Sequence, residues 1–530
     1  MKTHVLQKTQ HPSQLSESYS LKASRGKLLS DILPGATEFY FPGENFKIGS
    51  MPPHTAIIGS SGAGKTIIQK IWLEGALLAP TDDELLYRGM VYDPKRELYP
   101  FLLGMGLPAE QIIIANPFDS RASAWDIGAD FKEPAQIEEL AEMIIPRKEE
   151  KGGSGGNDDF FDTASRIILQ DIIAGFRAWA FSCWDLNDLT EACSNLDHIR
   201  QLLAHTENGR NSWNTFLKPK SSDDRMSDSI LATLFASVRP FQTLGALWAR
   251  CSDKFSLENW HRGSGVILMG ADPRRETSLT RMNQLMFRRT SQLVLSREDE
   301  NPEDLTWFFL DEVREAQKLE GIRQLLTEGR SKGARVILGF QDVDGMIDLY
   351  GERGAEEIVG LCANRIILHL DNPRTRDWAC HFFGEAELSI LSYGQSMNSG
   401  ESSGGGGRST NFGSGENLSE QVGMRKNILP VELHDLPLAS KEGGVSGFYA
   451  SPRRAKNSDE SARGRFNIPS EDYEIMFDFV KNQPPATLER PSSDQNRLKW
   501  SRADFFRFGI KTENNADGGR VIETSESLSH

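Results

Sequence analysis

The chain has 530 residues, of which 38% are hydrophobic and 9% aromatic, so it can bury more than one core and is mostly globular. Its formal net charge of −15 excludes a protein that coats nucleic acid through a uniformly basic surface, although a local basic channel stays possible. The five cysteines form no C-x-x-C pair and no metal-ligand spacing with histidine, which favours a reducing, cytosolic compartment.

The order of apolar patterns predicts the domains. Residues 1–30 are polar and rich in Ser, Gln and Lys, which indicates a flexible arm. Residues 31–132 and 256–450 alternate strand-length and helix-length segments, which predicts an α/β domain with a mainly parallel sheet. Residues 133–255 interrupt it with helical periodicity alone, which predicts an all-α inserted domain. The strands are expected at 55–58, 90–92, 112–115, 266–269, 307–310, 335–338 and 366–370.

Two later segments are too polar or too rich in small residues to form a core of their own. Residues 392–417 are rich in Gly and Ser and cannot bury a core, so a mobile loop is expected there. Residues 451–530 read as a polar, partly disordered tail. Within this tail, residues 497–511 interleave basic residues with Trp500, Phe505, Phe506 and Phe508. This stretch either packs on the chain's own surface or docks a partner, and the sequence favours neither alternative.

The strongest motif is GSSGAGKT, which directly follows the apolar run 55–58 and matches G-x-x-x-x-G-K-[ST]. Its glycines allow a concave loop whose amide groups point inward, and the following helix adds the positive end of its dipole. The motif therefore predicts a nucleotide phosphate site in which Lys65 contacts the β- and γ-phosphates and Thr66 holds Mg²⁺. Its residues are Gly59, Ser60, Ser61, Gly62, Ala63, Gly64, Lys65 and Thr66.

A second predicted strand supplies acidic residues. Residues 307–310 are apolar and are followed by Asp311 and Glu312. Because parallel strands deliver such residues to one sheet edge, both carboxylates should meet the phosphate loop. Asp311 would then act on Mg²⁺, and Glu312 would polarise the attacking water.

The segment EGRSKGARVILGFQ adds two candidates. Gln341 ends a predicted strand and should lie near the γ-phosphate. Arg330 precedes that strand and is a candidate arginine finger for a neighbouring subunit, although sequence alone favours a solvated or helix-capping arginine. Five further arginines are candidates for contact with DNA phosphates. For any one of them, the pattern favours the alternative that it only solvates a helix face. They are Arg274, Arg275, Arg281, Arg288 and Arg289.

Taken in order, these motifs resemble the type IV secretion coupling proteins of the TraD kind. The resemblance spans roughly residues 35–450. It rests on GSSGAGKT, VYDPKRELY, NPFDSRASAWD, FFLDE, EGRSKGARVILGFQ, LYGERGAEEIVGLCANRIIL and NILPVELHDLP.

The resemblance implies a RecA-like ATPase, related to FtsK and HerA motors, that forms a hexameric ring around DNA and uses ATP and Mg²⁺. Such a protein links relaxase-bound DNA to a secretion channel. By position, Asp311 and Glu312 fall on the family's acidic pair, Gln341 on its γ-phosphate sensor and Arg330 on its arginine finger. The helical insertion falls where the family carries the all-α domain implicated in DNA contact.

One feature departs from the resemblance. Family members typically begin with transmembrane helices, whereas polar residues precede GSSGAGKT here, and no window approaches the roughly 18–20 apolar residues that span a bilayer. The expected localisation is therefore the cytoplasm. The alternative is a peripheral position at the inner membrane, where partners would hold the protein.

Three other functions stay open from the sequence. The first is a soluble HerA/FtsK-like DNA pump in another DNA-processing or defence role. The second is a metabolite kinase or small-molecule NTPase that uses the same loop. The third is a scaffold that binds ATP without hydrolysing it, against which Lys65, Asp311 and Glu312 argue.

Overall fold

The computed structural model describes residues 6–7, 19–20, 38–41, 44–47, 54–77, 86–147, 158–218, 225–298, 304–404, 407–451, 463–470, 480–490 and 497–511. The chain divides into two compact units. The first comprises Met1–Asp82, Phe309–Glu315 and Arg335–Lys481, and the second comprises Asp83–Phe308, Ala316–Ala334 and Asn482–His530. The predicted arm, residues 1–30, lies outside the described residues except for the strand segments Leu6–Gln7 and Tyr19–Ser20.

The first unit is built on strand His54–Ile58, whose five residues are all buried. Strand Ala334–Phe340 pairs with it in parallel on one side, and strand Asn364–Ile367 pairs with it in parallel on the other. The sheet continues with the antiparallel strands Val445–Ala450 and Arg463–Ile468. Burial of every residue in the two central strands is typical of a parallel sheet covered on both faces. The predicted α/β class is thus confirmed.

The first unit also contains a small antiparallel pair of strands, Glu38–Phe41 and Glu44–Lys47. Its helices follow the strands in sequence. The helices are Lys65–Leu77, Val343–Leu361, Pro373–Cys380 and Pro430–His434, with a 3₁₀ turn at His381–Phe383.

The composition predicts a mobile loop at 392–417, and the described residues of this range, 392–404 and 407–417, lie in two long strands. Glu385–Gly404 and Gly407–Lys426 pair antiparallel over their whole length. A hairpin ladder uses backbone N–H and C=O groups, which Gly and Ser supply as well as any other residue. A composition that cannot bury a core therefore does not prevent strand pairing, and the mobility of this segment stays a prediction.

The second unit has its own parallel strands. Gly265–Gly270 is fully buried and pairs in parallel with Leu86–Asp93 and with Ile112–Ile114. The strand Asp304–Leu310 begins in this unit and ends in the first, and helix Val313–Ala316 follows it. The other helices of the sheet region are Leu98–Gly104, Leu257–Arg262, Glu276–Leu295 and Ile322–Glu328, with 3₁₀ turns at Ala109–Gln111 and Pro273–Arg275.

A helical region occupies the middle of the second unit. It is bounded by Ala124–Trp125 and Lys254–Phe255, two short strands that pair in parallel. Between them the described residues contain helices and turns but no strand. The helices are Ile127–Asp130, Pro134–Ile144, Asp158–Ala180, Leu186–Cys193, Leu196–Leu203, Glu207–Ser212, Arg225–Val238 and Gln242–Trp248, with a π turn at Trp213–Leu217.

One stretch of this region, Arg225–Trp248, is long and apolar enough to cross a membrane by length and composition, and no other described helix meets that test. It is interrupted at Pro240 by the 3₁₀ turn Arg239–Phe241, as the proline predicts. Ile230 and Leu234 have no exposed surface. The core helix of a globular domain meets the same test, so this stretch is weak evidence for a membrane span.

The C-terminal stretch 497–511 packs on helices of the second unit. Trp500 is 7% exposed, and its ring stacks on His198 with 4.6 Å between the centroids. Its Nε1 donates a hydrogen bond to Oδ1 of Asp188 at 3.0 Å. Phe508 is fully buried, with its ring centroid 4.7 Å from that of Phe176. Of the two alternatives for this stretch, the structure shows packing on the chain's own surface.

Candidate functional site

The phosphate-loop motif, residues 59–66, connects the buried strand His54–Ile58 to helix Lys65–Leu77 in the first unit. Gly62 and Gly64 have φ angles of 77° and 105°, a region that residues with side chains rarely adopt. A Cβ at Gly64 would also lie 2.8 Å from Cγ1 of Val445. The loop conformation therefore requires the glycines that the motif places there.

Backbone hydrogen bonds hold the start of the loop. The N–H of Gly59 donates to the carbonyl of Phe340 at 3.2 Å, at the end of one neighbouring strand. The N–H of Ser60 donates to the carbonyl of His369 at 2.8 Å, just beyond the other. Lys65 is 8% exposed, and its Nζ donates to the carbonyl of Gly59 at 2.6 Å. Its ammonium group therefore lies over the concave loop.

The structure brings the predicted acidic and amide residues to this loop. Oγ1 of Thr66 donates a hydrogen bond to Oδ2 of Asp311 at 3.2 Å, across 245 positions of sequence. Nε2 of Gln341 donates to Oε2 of Glu312 at 3.1 Å. Asp311 is 9% exposed, whereas Gln341 is exposed. Residues from the ends of three strands thus meet at one edge of the first unit.

The environment of Glu312 changes its acidity. Burial raises the pKa of its carboxyl group above the ordinary value, because the charged form loses water. The Lys65 ammonium and the Gln341 amide oppose this and lower the pKa, while Asp311 adds a smaller rise. A carboxylate with raised pKa beside a polar loop is suited to accept a proton from water.

Arg330 is not among the residues brought together in the first unit. It lies in the second unit, two residues after the end of helix Ile322–Glu328, and is exposed. Its backbone carbonyl accepts a hydrogen bond from the N–H of Gly333 at 3.3 Å. An arginine finger acts on a neighbouring subunit's nucleotide, so its predicted role stays a prediction.

Two of the arginines that are candidates for DNA contact have partners within the chain. Arg289 is 5% exposed, and its Nη2 donates to the carbonyl of Asp130 at 2.7 Å. Arg274 pairs with Asp272 at 3.1 Å and with Glu489 at 3.1 Å. Helical spacing alone could not tell the buried Arg289 from an arginine on an open face.

Sequence reasoning missed a second set of contacts to the loop. The N–H of Asp371 donates to Oγ of Ser60 at 2.8 Å, next to the bond between Ser60 and the His369 carbonyl. Both partners follow strand Asn364–Ile367, which overlaps the predicted strand 366–370 only in its last two residues. The signal available was their position at the carboxyl end of a parallel strand, where polar residues meet the site.

Comparison with known proteins identifies the family. The family model described as the type IV secretion-system coupling protein DNA-binding domain matches residues 40–449. The coupling protein TraD of Escherichia coli (strain K12) is 22% identical over 282 residues, which are 52% of this chain and 37% of TraD. The chain therefore matches little more than a third of TraD's length.

Solved structures show the same fold. The unbound monoclinic form of the bacterial conjugative coupling protein TrwBdeltaN70 is 18% identical with a TM-score of 0.61, covering 88% of this chain and 95% of that one. The plasmid coupling protein TrwB in complex with the ATP analogue ADPNP is 16% identical with a TM-score of 0.59, covering 89% and 96%. TrwB in complex with ADP and Mg²⁺ is 17% identical, with the same TM-score and coverage.

These similarities confirm the expected RecA-like P-loop fold. The ordered motifs of the sequence predict one family, and the family model matches well over half of the chain. The protein belongs to the family of type IV secretion-system coupling proteins.

Proposed function

We propose that this chain is an ATP-dependent DNA translocase that serves as the coupling protein of a conjugative type IV secretion system. The observation that carries the proposal is the meeting of Thr66 with Asp311 and of Glu312 with Gln341 at the phosphate loop. A loop that only bound nucleotide would not need a buried acid and a second carboxylate at the same edge. Membership of the coupling protein family supports DNA as the molecule that is moved.

The donor set of the site fits ATP with Mg²⁺. The Thr66 hydroxyl and the Asp311 carboxylate are oxygen ligands of the kind that Mg²⁺ prefers, and they already lie 3.2 Å apart. The backbone amides of the loop and the Lys65 ammonium would hold the phosphates. When bound, Mg²⁺ supplies charge neutralisation at the phosphate oxygens. The related TrwB has been solved with ADP and Mg²⁺.

Glu312 and Gln341 are proposed to act on the attacking water. The carboxylate of Glu312 would accept a proton from it, since its raised pKa makes it a stronger base than an ordinary glutamate. Gln341 donates to that carboxylate and keeps it oriented. Its amide can also bond to a γ-phosphate oxygen, so the same side chain would sense whether that phosphate is present.

The proposed motor is a hexamer. Six copies would form a ring, in which the exposed Arg330 of one copy reaches the nucleotide of the next and stabilises negative charge in the transition state. The helical region between Ala124–Trp125 and Lys254–Phe255 would contact DNA at the ring's entrance. The partners would be a DNA-bound relaxase and the channel, on the cytoplasmic side of the inner membrane, with membrane contact through those partners.

DNA should accelerate ATP turnover. At low salt we expect a several-fold rise in steady-state ATP turnover when DNA is added, because contacts with the DNA phosphates would couple hydrolysis to DNA binding. The DNA concentration for half-maximal stimulation should rise at least ~10-fold between about 50 and 200 mM salt, as counterion release requires. The measurement is phosphate release against DNA concentration at several salt concentrations, with single- and double-stranded DNA compared.

Lys65→Ala is the control, because it should abolish turnover with and without DNA. Turnover that DNA leaves unchanged at low salt would contradict the motor. Turnover that depends on a small acceptor would identify a kinase, and binding of ATP without turnover would identify a scaffold.

A further inference from the structure

Three side chains that the proposed ATPase does not use form a cluster in the first unit. His369 and Asp371 lie just after strand Asn364–Ile367, and His434 ends helix Pro430–His434. One potential ligand atom from each lies within 4.8 Å of the other two. The His369 side chain is mostly buried, whereas Asp371 and His434 are exposed. A nitrogen, an oxygen and a second nitrogen therefore converge at the surface.

Hydrogen bonding fixes which nitrogen of His369 faces the cluster. Its Nδ1 lies 2.7 Å from the carbonyl oxygen of Leu436. A carbonyl only accepts hydrogen bonds, so Nδ1 carries a hydrogen and the lone pair of the neutral ring is at Nε2. That Nε2 lies 2.9 Å from Oδ1 of Asp371. A lone pair and a carboxylate oxygen repel at this distance unless a proton or a metal cation lies between them.

We propose that Nε2 of His369, the carboxylate of Asp371 and the ring of His434 bind one divalent transition-metal ion of the zinc type. Two imidazole nitrogens and one carboxylate are a ligand set that Zn²⁺ and Co²⁺ accept. A histidine that donates its other N–H to a backbone carbonyl is the usual arrangement behind a metal-bound ring, because the carbonyl orients the ring.

The geometry needs only a small adjustment. Ligand atoms about 2.0–2.2 Å from a tetrahedral ion lie ~3.3 Å apart. The distance of 2.9 Å between Nε2 and Oδ1 would therefore widen by a few tenths of an ångström, which the exposed Asp371 side chain can provide. The ring centroids of His369 and His434 are 5.6 Å apart, so the second ring is within reach. Three protein ligands would leave a fourth position for water or another ligand.

The cluster is joined to the phosphate loop through Ser60. The carbonyl of His369 accepts from the N–H of Ser60 at 2.8 Å, and the N–H of Asp371 donates to its Oγ at 2.8 Å. An ion bound by these side chains would fix their segment to the end of helix Pro430–His434. It would thereby hold one side of the phosphate loop in place.

Uptake of Co²⁺ by the full chain, without nucleotide and with excess Mg²⁺, tests the site. We expect one Co²⁺ per chain, with the visible absorption of a four- or five-coordinate ion that Zn²⁺ removes. Asp371→Asn and His434→Ala should each weaken binding at least ~10-fold, because each removes one of three ligands. Both changes are at exposed side chains, so the fold should survive, and circular dichroism would check it.

His381→Ala is the matched control, since His381 is an exposed histidine in the same unit outside the cluster. It should leave Co²⁺ binding unchanged. The proposal is overturned if the wild-type chain binds no Co²⁺ under these conditions, which would identify a proton-linked pair of His369 and Asp371. Binding that both cluster variants leave intact, or that His381→Ala weakens equally, would overturn it too.

Discussion

Replacement of Glu312 by Gln should lower the turnover number for ATP by ~10²- to 10⁴-fold, the usual contribution of a general base. Gln has nearly the same shape, and its amide oxygen can still accept the hydrogen bond that Nε2 of Gln341 donates at 3.1 Å. It cannot take a proton from water. Affinity for nucleotide should stay within about threefold, because the phosphate contacts come from the loop and Lys65. Steady-state phosphate release at saturating ATP and binding of a fluorescent ATP analogue measure the two quantities separately.

The matched control is Glu356→Gln, which removes an exposed carboxylate on helix Val343–Leu361 of the same unit. Its turnover should stay within about twofold of the wild-type value, since surface changes away from a site have small effects. Loss of nucleotide binding in Glu312→Gln, or equal loss of turnover in both variants, would contradict the role of Glu312 as base. Lys65→Ala should behave differently from both and lose binding itself.

The pH dependence of turnover should carry the signature of the same carboxyl group. Its burial raises its pKa, so the active carboxylate is lost as pH falls through a value above that of an ordinary glutamate. The Gln341 amide lowers this pKa by hydrogen bonding to the carboxylate. Gln341→Ala should therefore shift the acid limb of the turnover profile to higher pH. An acid limb that stays in place, or moves to lower pH, would contradict this assignment.

Local motifs made much of the site predictable. The glycines at Gly62 and Gly64 are required by backbone angles that nearly any other residue resists, so the motif itself carries the loop geometry. The run before Asp311 is a buried strand, and parallel strands end at a common edge. Those two facts are enough to place Asp311 beside Thr66, although 245 positions separate them.

Contacts that depend on tertiary packing were missed. Nothing near Ser60 in sequence indicates that His369 and Asp371 bond to it, because the approach of two neighbouring strands creates the contact. Arg289 has the spacing of a solvated helix face but is buried, since the pattern does not reveal what covers the helix. The hairpin Glu385–Lys426 was missed because backbone pairing needs no apolar pattern.

Replacement of Trp500 by Ala should destabilise the second unit by ~3–5 kcal/mol, the usual cost of removing a buried aromatic side chain. Its ring contacts His198 at 4.6 Å and Phe508 at 5.1 Å between centroids, and its Nε1 donates to Asp188. The variant loses the apolar contact and leaves the buried Asp188 carboxylate with one donor fewer. Urea unfolding followed by tryptophan-independent far-UV circular dichroism measures the change.

The matched control is Phe506→Ala, six residues away in the same C-terminal stretch. Its ring is 88% exposed, so removal should change the free energy of unfolding by less than about 0.5 kcal/mol. Hydrogen exchange adds location: in Trp500→Ala, protection should fall first in helices Leu186–Cys193 and Leu196–Leu203, which carry Asp188 and His198. If Trp500→Ala were as stable as Phe506→Ala, the stretch would contribute nothing to the unit and would be available to a partner. If the free energy of unfolding instead falls by about the expected amount, the stretch 497–511 is part of the helical core. Docking of this stretch on a partner would then have to break these contacts first.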